Sequence, residues 1–216
     1  MSVPFGQRWR LYATFNGGFI YRDGGNGSSI GGRSYEPLKD GLATLVAYQD
    51  GRVDVTRWTG GPVAGPNVAF ARQSLPLIVD NGRLNPALND SSQWGFTVGN
   101  AVRVWRTGVG IDRRGNLIFV AADDQTVITL ARILQRAGAV RAMQFDINAD
   151  WHTLITYTHH HGLRPTQVGP SNQSRGGTAS RPASARCCSS SPKGKATRKS
   201  PPCSRSASKP QKPTAR

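Results

Sequence analysis

Apolar residues in the first 160 positions come in short runs that stop at glycine or at an Asp-Gly or Asn-Gly pair. This is the pattern of strands joined by tight turns. Arg10-Leu11-Tyr12-Ala13-Thr14-Phe15 is β-prone and stops at Asn16-Gly17-Gly18. Leu42 to Tyr48 and Val53 to Trp58 flank Asp50-Gly51. Asp-Gly tolerates the positive φ of a primed turn, so these pieces predict a hairpin. A second hairpin is predicted where Thr107 to Ile111 and Leu117 to Ala122 flank Asp112-Arg113-Arg114-Gly115-Asn116. Leu75 to Val79 reads as a further short strand, closed by Asp80-Asn81-Gly82. From Asp23 to Arg33 the chain is mostly Gly, Ser and Asn, which predicts a mobile loop.

One stretch changes period. Val127, Leu130, Ile133, Leu134 and Ala137 recur at helical spacing, with Thr126 placed to cap the start and Gly138 to end it. Val140 to Ile147 then reads as a strand again. A hairpin, a helix and a returning strand over residues 107–147 favour an α+β body, a mixed β-sheet with flanking helices. No internal repeat is visible.

Charge divides the 216-residue chain in two. The formal net charge is +16, but residues 1–161 carry 16 Lys and Arg against all 12 acidic residues, leaving +4. Residues 162–216 carry 12 Lys and Arg with no Asp or Glu. Every Trp, Tyr and Phe lies in the first part, so that part can bury a core. The second part is dominated by Ser, Pro, Lys and Arg, and Leu163 and Val168 are its only large aliphatic residues. It is expected to be a disordered basic tail, because it cannot offset the entropy of ordering. Cys187, Cys188 and Cys203 all fall there, without zinc-type spacing. Read from its first residues, Met1 to Arg10, the chain is expected to carry no secretory signal, and no run is long enough to span a membrane as a helix.

Several residues could carry chemistry. At Asn16-Gly17-Gly18-Phe19, Gly17 and Gly18 would let backbone N–H groups approach an anion or a sugar, and Asn16 could bond hydroxyls or a phosphate oxygen. A plain turn is the alternative. Asp146 ends the strand after the helix and could act as a general acid or as a nucleophile at an anomeric carbon. It could equally bond the next turn, and Asn148 and Asp150 nearby suit either reading. Arg106 could grip a phosphate bidentately, and Arg72 is a second candidate, although an isolated Arg is commonly a solvated surface charge. His159-His160-His161, with His152 nearby, looks metal-like, but consecutive His side chains do not converge well on one ion. No Ser-His-Asp pattern, P-loop or zinc-finger spacing is present. No metal or cofactor is expected.

Taken together, these segments resemble the phosphodiester glycosidase family, the family of the "uncovering" enzyme. Ala13-Thr14-Phe15-Asn16-Gly17-Gly18-Phe19 matches its opening motif. The order of parts agrees through Arg72-Gln73-Ser74-Leu75 and Trp105-Arg106-Thr107-Gly108-Val109-Gly110 to Ala142-Met143-Gln144-Phe145-Asp146. The likeness spans about residues 11–157 and looks closest to actinobacterial members, which the Arg-rich body, with Lys39 as its one lysine, fits. The resemblance implies hydrolysis of a sugar phosphodiester. Asp146 would be acid or nucleophile, Arg106 would pair the phosphate and Asn16 would orient substrate, with Gly17, Gly18, Arg72 and Asn148 lining the site.

Many relatives read Leu-Asp-Gly-Gly-Gly-Ser where this chain reads Phe145-Asp146-Ile147-Asn148-Ala149-Asp150. Residues 1–161 are expected to form a partial domain, lacking the leader and the closing aromatic segment of relatives. The tail reads like translation in a shifted frame, and relatives suggest export or membrane association. Two other functions fit the same residues: a non-catalytic sugar- or phosphate-binding domain, and non-specific polyanion binding through the tail.

Overall fold

The structure, a computed structural model, describes residues 3, 5–19, 26–90, 93–147, 152–160 and 162–169. All of them belong to one compact unit, Met1–Ala179. A second unit, Ser180–Arg216, and the site candidate Asn148 lie outside the described residues.

Two five-stranded sheets form the body. The first has the order β3 (Arg33–Glu36), β2 (Ser28–Ile30), β6 (Val68–Gln73), β4 (Ala43–Tyr48), β5 (Val53–Arg57). The second has the order β10 (Leu117–Gln125), β9 (Val104–Ile111), β11 (Arg141–Gln144), β7 (Val79–Asp80), β8 (Arg83–Leu84). A three-stranded sheet is built from β1 (Ala13–Phe15), β12 (Leu154–Thr158) and β13 (Arg164–Gln167). The one α-helix among the described residues, α1, spans Val127–Arg136. The expected mixed sheet is therefore corrected: every ladder between these strands is antiparallel. Of the flanking helices, the described residues hold one α-helix and short 3-10 turns.

The two predicted hairpins form in register, Leu45 opposite Val55 and Val109 opposite Phe119. α1 begins at Thr126, whose hydroxyl accepts from Thr129 N–H at 3.1 Å while Thr129 Oγ1 accepts from Thr126 N–H at 2.9 Å. This reciprocal cap satisfies two N–H groups that a helix start leaves without partners.

Four segments differ from expectation. Of the predicted Leu75–Val79 strand only Val79 pairs, together with Asp80 beyond it, because Pro76 has no N–H to give a ladder; Leu77 and Ile78 are buried as a bend instead. The glycine-rich stretch contains the β2–β3 hairpin, with Ser28 and Ser29 buried. β6 was not anticipated, yet it pairs with both β2 and β4 at the centre of the first sheet. Pairing also continues past His161, where Arg164–Gln167 forms β13 on the open side of β12. The segment expected to lack structure thus opens with a strand.

Packing is layered. Ala43, Leu45, Val55 and Leu77 meet Val109, Ile111, Met143 and Phe145 between the two large sheets. Val127, Leu130, Ala131 and Leu134 of α1 cover the other face of the second sheet, with Ile78, Val79 and Trp94. Gly108 and Gly110 let the helix side approach β9. A Cβ on Gly108 would lie 2.8 Å from Met143 O and 3.1 Å from Leu134 Cδ1, and one on Gly110 would lie 2.7 Å from Ala139 Cβ.

Candidate active site

Side chains alternate across β9, and that alternation sorts the site residues. Thr107 and Val109 face the core between the sheets. Arg106, Gly108 and Gly110 face α1 and Trp94.

On the first face, Asn16 leaves the end of β1 and ties three segments together. Its Nδ2 donates to Thr107 Oγ1 at 2.8 Å, and its Oδ1 accepts from Thr153 N–H at 3.3 Å. The Asn16 N–H donates to Thr153 O at 3.2 Å. Thr107 continues the chain to Asp146. Both its N–H and its hydroxyl donate to the Asp146 carbonyl, at 3.0 and 3.1 Å. Thr107 O in turn accepts from Phe145 N–H at 2.8 Å. Asn16 and half-buried Asp146 are thus linked through Thr107, and the contact to Asp146 is made by its main chain.

On the opposite face, Arg106 is 5% exposed. Its Nε donates to Gln125 O at 3.0 Å and its Nη1 to Gln144 Oε1 at 2.7 Å. Gln144 Nε2 is itself held by Trp94 O at 3.1 Å. Among the described residues Arg106 makes no other bond, leaving its Nη2 without a partner there and no carboxylate paired to it. Burial pulls its pKa down to about 10, so the guanidinium stays charged at neutral pH. Asn16 and Arg106 therefore do not converge side chain to side chain. They reach the same strand end from opposite faces.

Arg72, on β6, reaches the glycine motif. It donates from Nε to Gly17 O at 3.2 Å, from Nη1 to Asn26 O at 3.3 Å, and from Nη2 to Phe19 O. The structure gives it a holding role, fixing the carbonyls of the loop. Gly18 adopts φ +92°, which favours glycine, and packs over Phe145 and Ser74.

A family model described as phosphodiester glycosidase matches residues 10–146. The chain belongs to the phosphodiester glycosidase family. Its fold is also that of a solved member. The catalytic domain of zebrafish N-acetylglucosamine-1-phosphodiester alpha-N-acetylglucosaminidase, auto-inhibited by its pro-peptide, superposes with a TM-score of 0.52 at 17% identity. The match covers 77% of this chain and 59% of that one, so the chain spans about three fifths of the solved domain. A hypothetical protein from Synechocystis matches at TM-score 0.44 and 14% identity, over 69% of this chain and 48% of that one. No curated protein sequence matches.

Within this phosphodiester glycosidase fold, the structure adds residues that the sequence did not single out. Thr107 is the hub between Asn16 and Asp146, and Gln144 anchors Arg106. Both lie inside the quoted motifs, but nothing in a linear pattern marks them as bonded. Trp105 and His152 stack with ring centroids 3.8 Å apart and planes 2° apart. His159, from the metal-like run, has Nε2 2.9 Å from Leu11 O and stands edge-on to Tyr12. Its ring is engaged with β1's approach segment. Among the described residues no three His, Cys, Asp or Glu side chains gather to hold a metal.

Proposed function

We propose that the chain is a hydrolase that cleaves a sugar from a sugar phosphodiester. The observation that carries this reading is Arg106: a buried guanidinium, oriented by two bonds, to which no described residue adds a carboxylate or a bond at Nη2. A buried cation without a counter-ion is costly, and a phosphate oxygen is the group its planar fork accepts best. It bonds Gln144, two residues before Asp146. In the reaction the anomeric C–O bond breaks and water supplies hydroxyl to the sugar carbon. The phosphate leaves as a monoester, whose charge Arg106 stabilises. Asp146 serves as the acid or the nucleophile at the anomeric carbon. Asn16 orients the substrate indirectly, by fixing Thr107 and through it the main chain at Asp146. The zebrafish relative's name supports a substrate such as an N-acetylglucosamine phosphodiester.

The test is incubation of the full chain with a panel of sugar phosphodiesters that includes UDP-N-acetylglucosamine, beside Asp146→Asn. Release of free sugar that the variant loses supports the reading. A folded full chain that binds these compounds without releasing sugar is a binding domain, and catalysis is refuted.

A further inference from the structure

Among the described residues, two buried side-chain polar atoms near Arg72 have no hydrogen-bond partner: Asn26 Nδ2 and Ser74 Oγ. Asn26 is 4% exposed and Ser74 0% exposed. An enclosed polar atom with no partner costs free energy, so two at one place point to something that completes them.

The two belong to one locus. The β2–β6 ladder pairs Ser28 with Arg72 and Ser29 with Ala71. The next position out is bonded too, as Gln73 N–H donates to Gly27 O at 3.0 Å. Carried one step further, the same register sets Asn26 opposite Ser74. Cross-strand partners share a face, and residues two apart along a strand share it as well. Asn26 and Ser74 therefore lie on the face from which Arg72 reaches Gly17, Phe19 and Asn26.

The glycine motif approaches Ser74 with its main chain. A Cβ built on Gly18 would sit 3.8 Å from Ser74 Oγ and 3.5 Å from Phe145 Cδ1, while one on Gly17 would meet nothing within 4 Å. A peptide between two glycines can turn with little steric resistance, so this stretch can move off Ser74 once Arg72 Nε releases Gly17 O.

We propose that Asn26 and Ser74 form a subsite for an uncharged oxygen of the glycosyl group, reached through Gly17-Gly18. This rests on the sugar phosphodiester reading and adds the residues that select the sugar. The chemistry is that of a neutral acceptor. Asn26 Nδ2 and the Ser74 hydroxyl offer donors, the hydroxyl can also accept, and the guanidinium on this face already bonds three carbonyls. A sugar hydroxyl or the carbonyl of an N-acetyl group fits that set. The phosphate belongs to Arg106, on the far side of β9.

The experiment compares full-length protein with Ser74→Ala and Asn26→Leu. Calorimetric titration uses methyl glycosides of glucose and of N-acetylglucosamine, with inorganic phosphate as the second probe. Melting temperature is measured on each protein without ligand. The subsite predicts that Ser74→Ala melts no lower than the wild type, because it loses an unsatisfied atom. The same variant should bind the methyl glycoside at least tenfold more weakly and phosphate unchanged, and Asn26→Leu should weaken the glycoside likewise. A lower melting temperature for Ser74→Ala would mean a buried water already satisfies the hydroxyl and would overturn the proposal. Unchanged glycoside affinity in both variants, or no glycoside binding by the wild type, would overturn it as well. Glycoside binding lost in the variants of a protein that hydrolyses no phosphodiester would sustain the subsite and refute the hydrolase reading alone.

Discussion

Asn16 and Thr107, 91 residues apart in the chain, share a 2.8 Å hydrogen bond that brings the end of β1 onto β9. Thr107 accepts from Asn16 and donates to Asp146 O with the same hydroxyl. Thr107→Val keeps the shape and removes both bonds, leaving Asn16 Nδ2 and one carbonyl interaction unmade. The expected loss is about 1–3 kcal/mol in urea unfolding. Asn16→Ala removes one of the same bonds, so the double variant should lose less than the sum of the singles. Strict additivity would show that the two residues are not coupled.

Arg106 gives the pH prediction. Its pKa is lowered by burial to about 10, so the penalty for enclosing the charged form is fully present below that pH. As pH rises through about 10 towards the ordinary arginine range, the folded protein loses the proton before the unfolded chain does, and the penalty is relieved. Phosphate affinity should fall in that window, where a solvated arginine would keep its charge. Calorimetry at pH 8 and pH 11 checks this, and constant affinity would show that the buried guanidinium keeps its proton across that range. Arg106→Lys keeps a charge but cannot span Gln125 O and Gln144 Oε1, and a drop in turnover of about 100-fold or more is expected.

Asp146 holds Thr107 with its carbonyl, a contact that the side chain's identity does not change. Asp146→Asn should therefore remain folded, with near-UV circular dichroism like that of the wild type. Its sugar release should fall by about 10² or more, the usual contribution of a positioned acid or base. Wild-type turnover in a folded Asp146→Asn protein would move the chemistry to another group.

The two glycines of the motif should respond differently to alanine. Gly18 holds φ +92°, a region that disfavours L side chains by roughly 1–2 kcal/mol. Gly17 has an ordinary φ and open space around a Cβ, so Gly17→Ala should leave the melting temperature nearly unchanged. Equal losses in thermal melts would mean that the loop has another conformation in solution.

Residues 170–216 carry 11 Lys and Arg and no acidic residue. Removing them should abolish retention on a heparin column at moderate salt and leave sugar release intact, because polyanion attraction scales with the charges contributed. Retention that survives the deletion would place the attraction on the body.

What the sequence revealed was mostly local. The β4–β5 and β9–β10 hairpins and α1 follow from turn and cap residues within a few positions of each other, and these were legible. The β2–β3 hairpin was hidden because Ser28, Ser29 and the glycines carry no apolar alternation, although the serines are buried. Pro76 sits inside an apolar run that pattern alone reads as a strand. At the site, the resemblance pointed to Asn16, Arg106 and Asp146. Their division between two faces of β9 depends on strand parity and on the partners Thr153, Gln125 and Gln144, which become neighbours only in the folded chain.

The parity of β9 makes the strand intolerant of any change in length. An inserted or deleted residue before Arg106 would turn its guanidinium toward Asn16 and drive Thr107 into the space that Gly108 leaves for Leu130 and Leu134. The phosphate group and the Asn16 anchor would exchange sides in one move, and the helix would lose its seat. Alteration of this site by natural drift or by engineering must then proceed through substitutions, or through length changes in the Asp112–Asn116 turn, which β9 reaches only after both of its faces have been assigned.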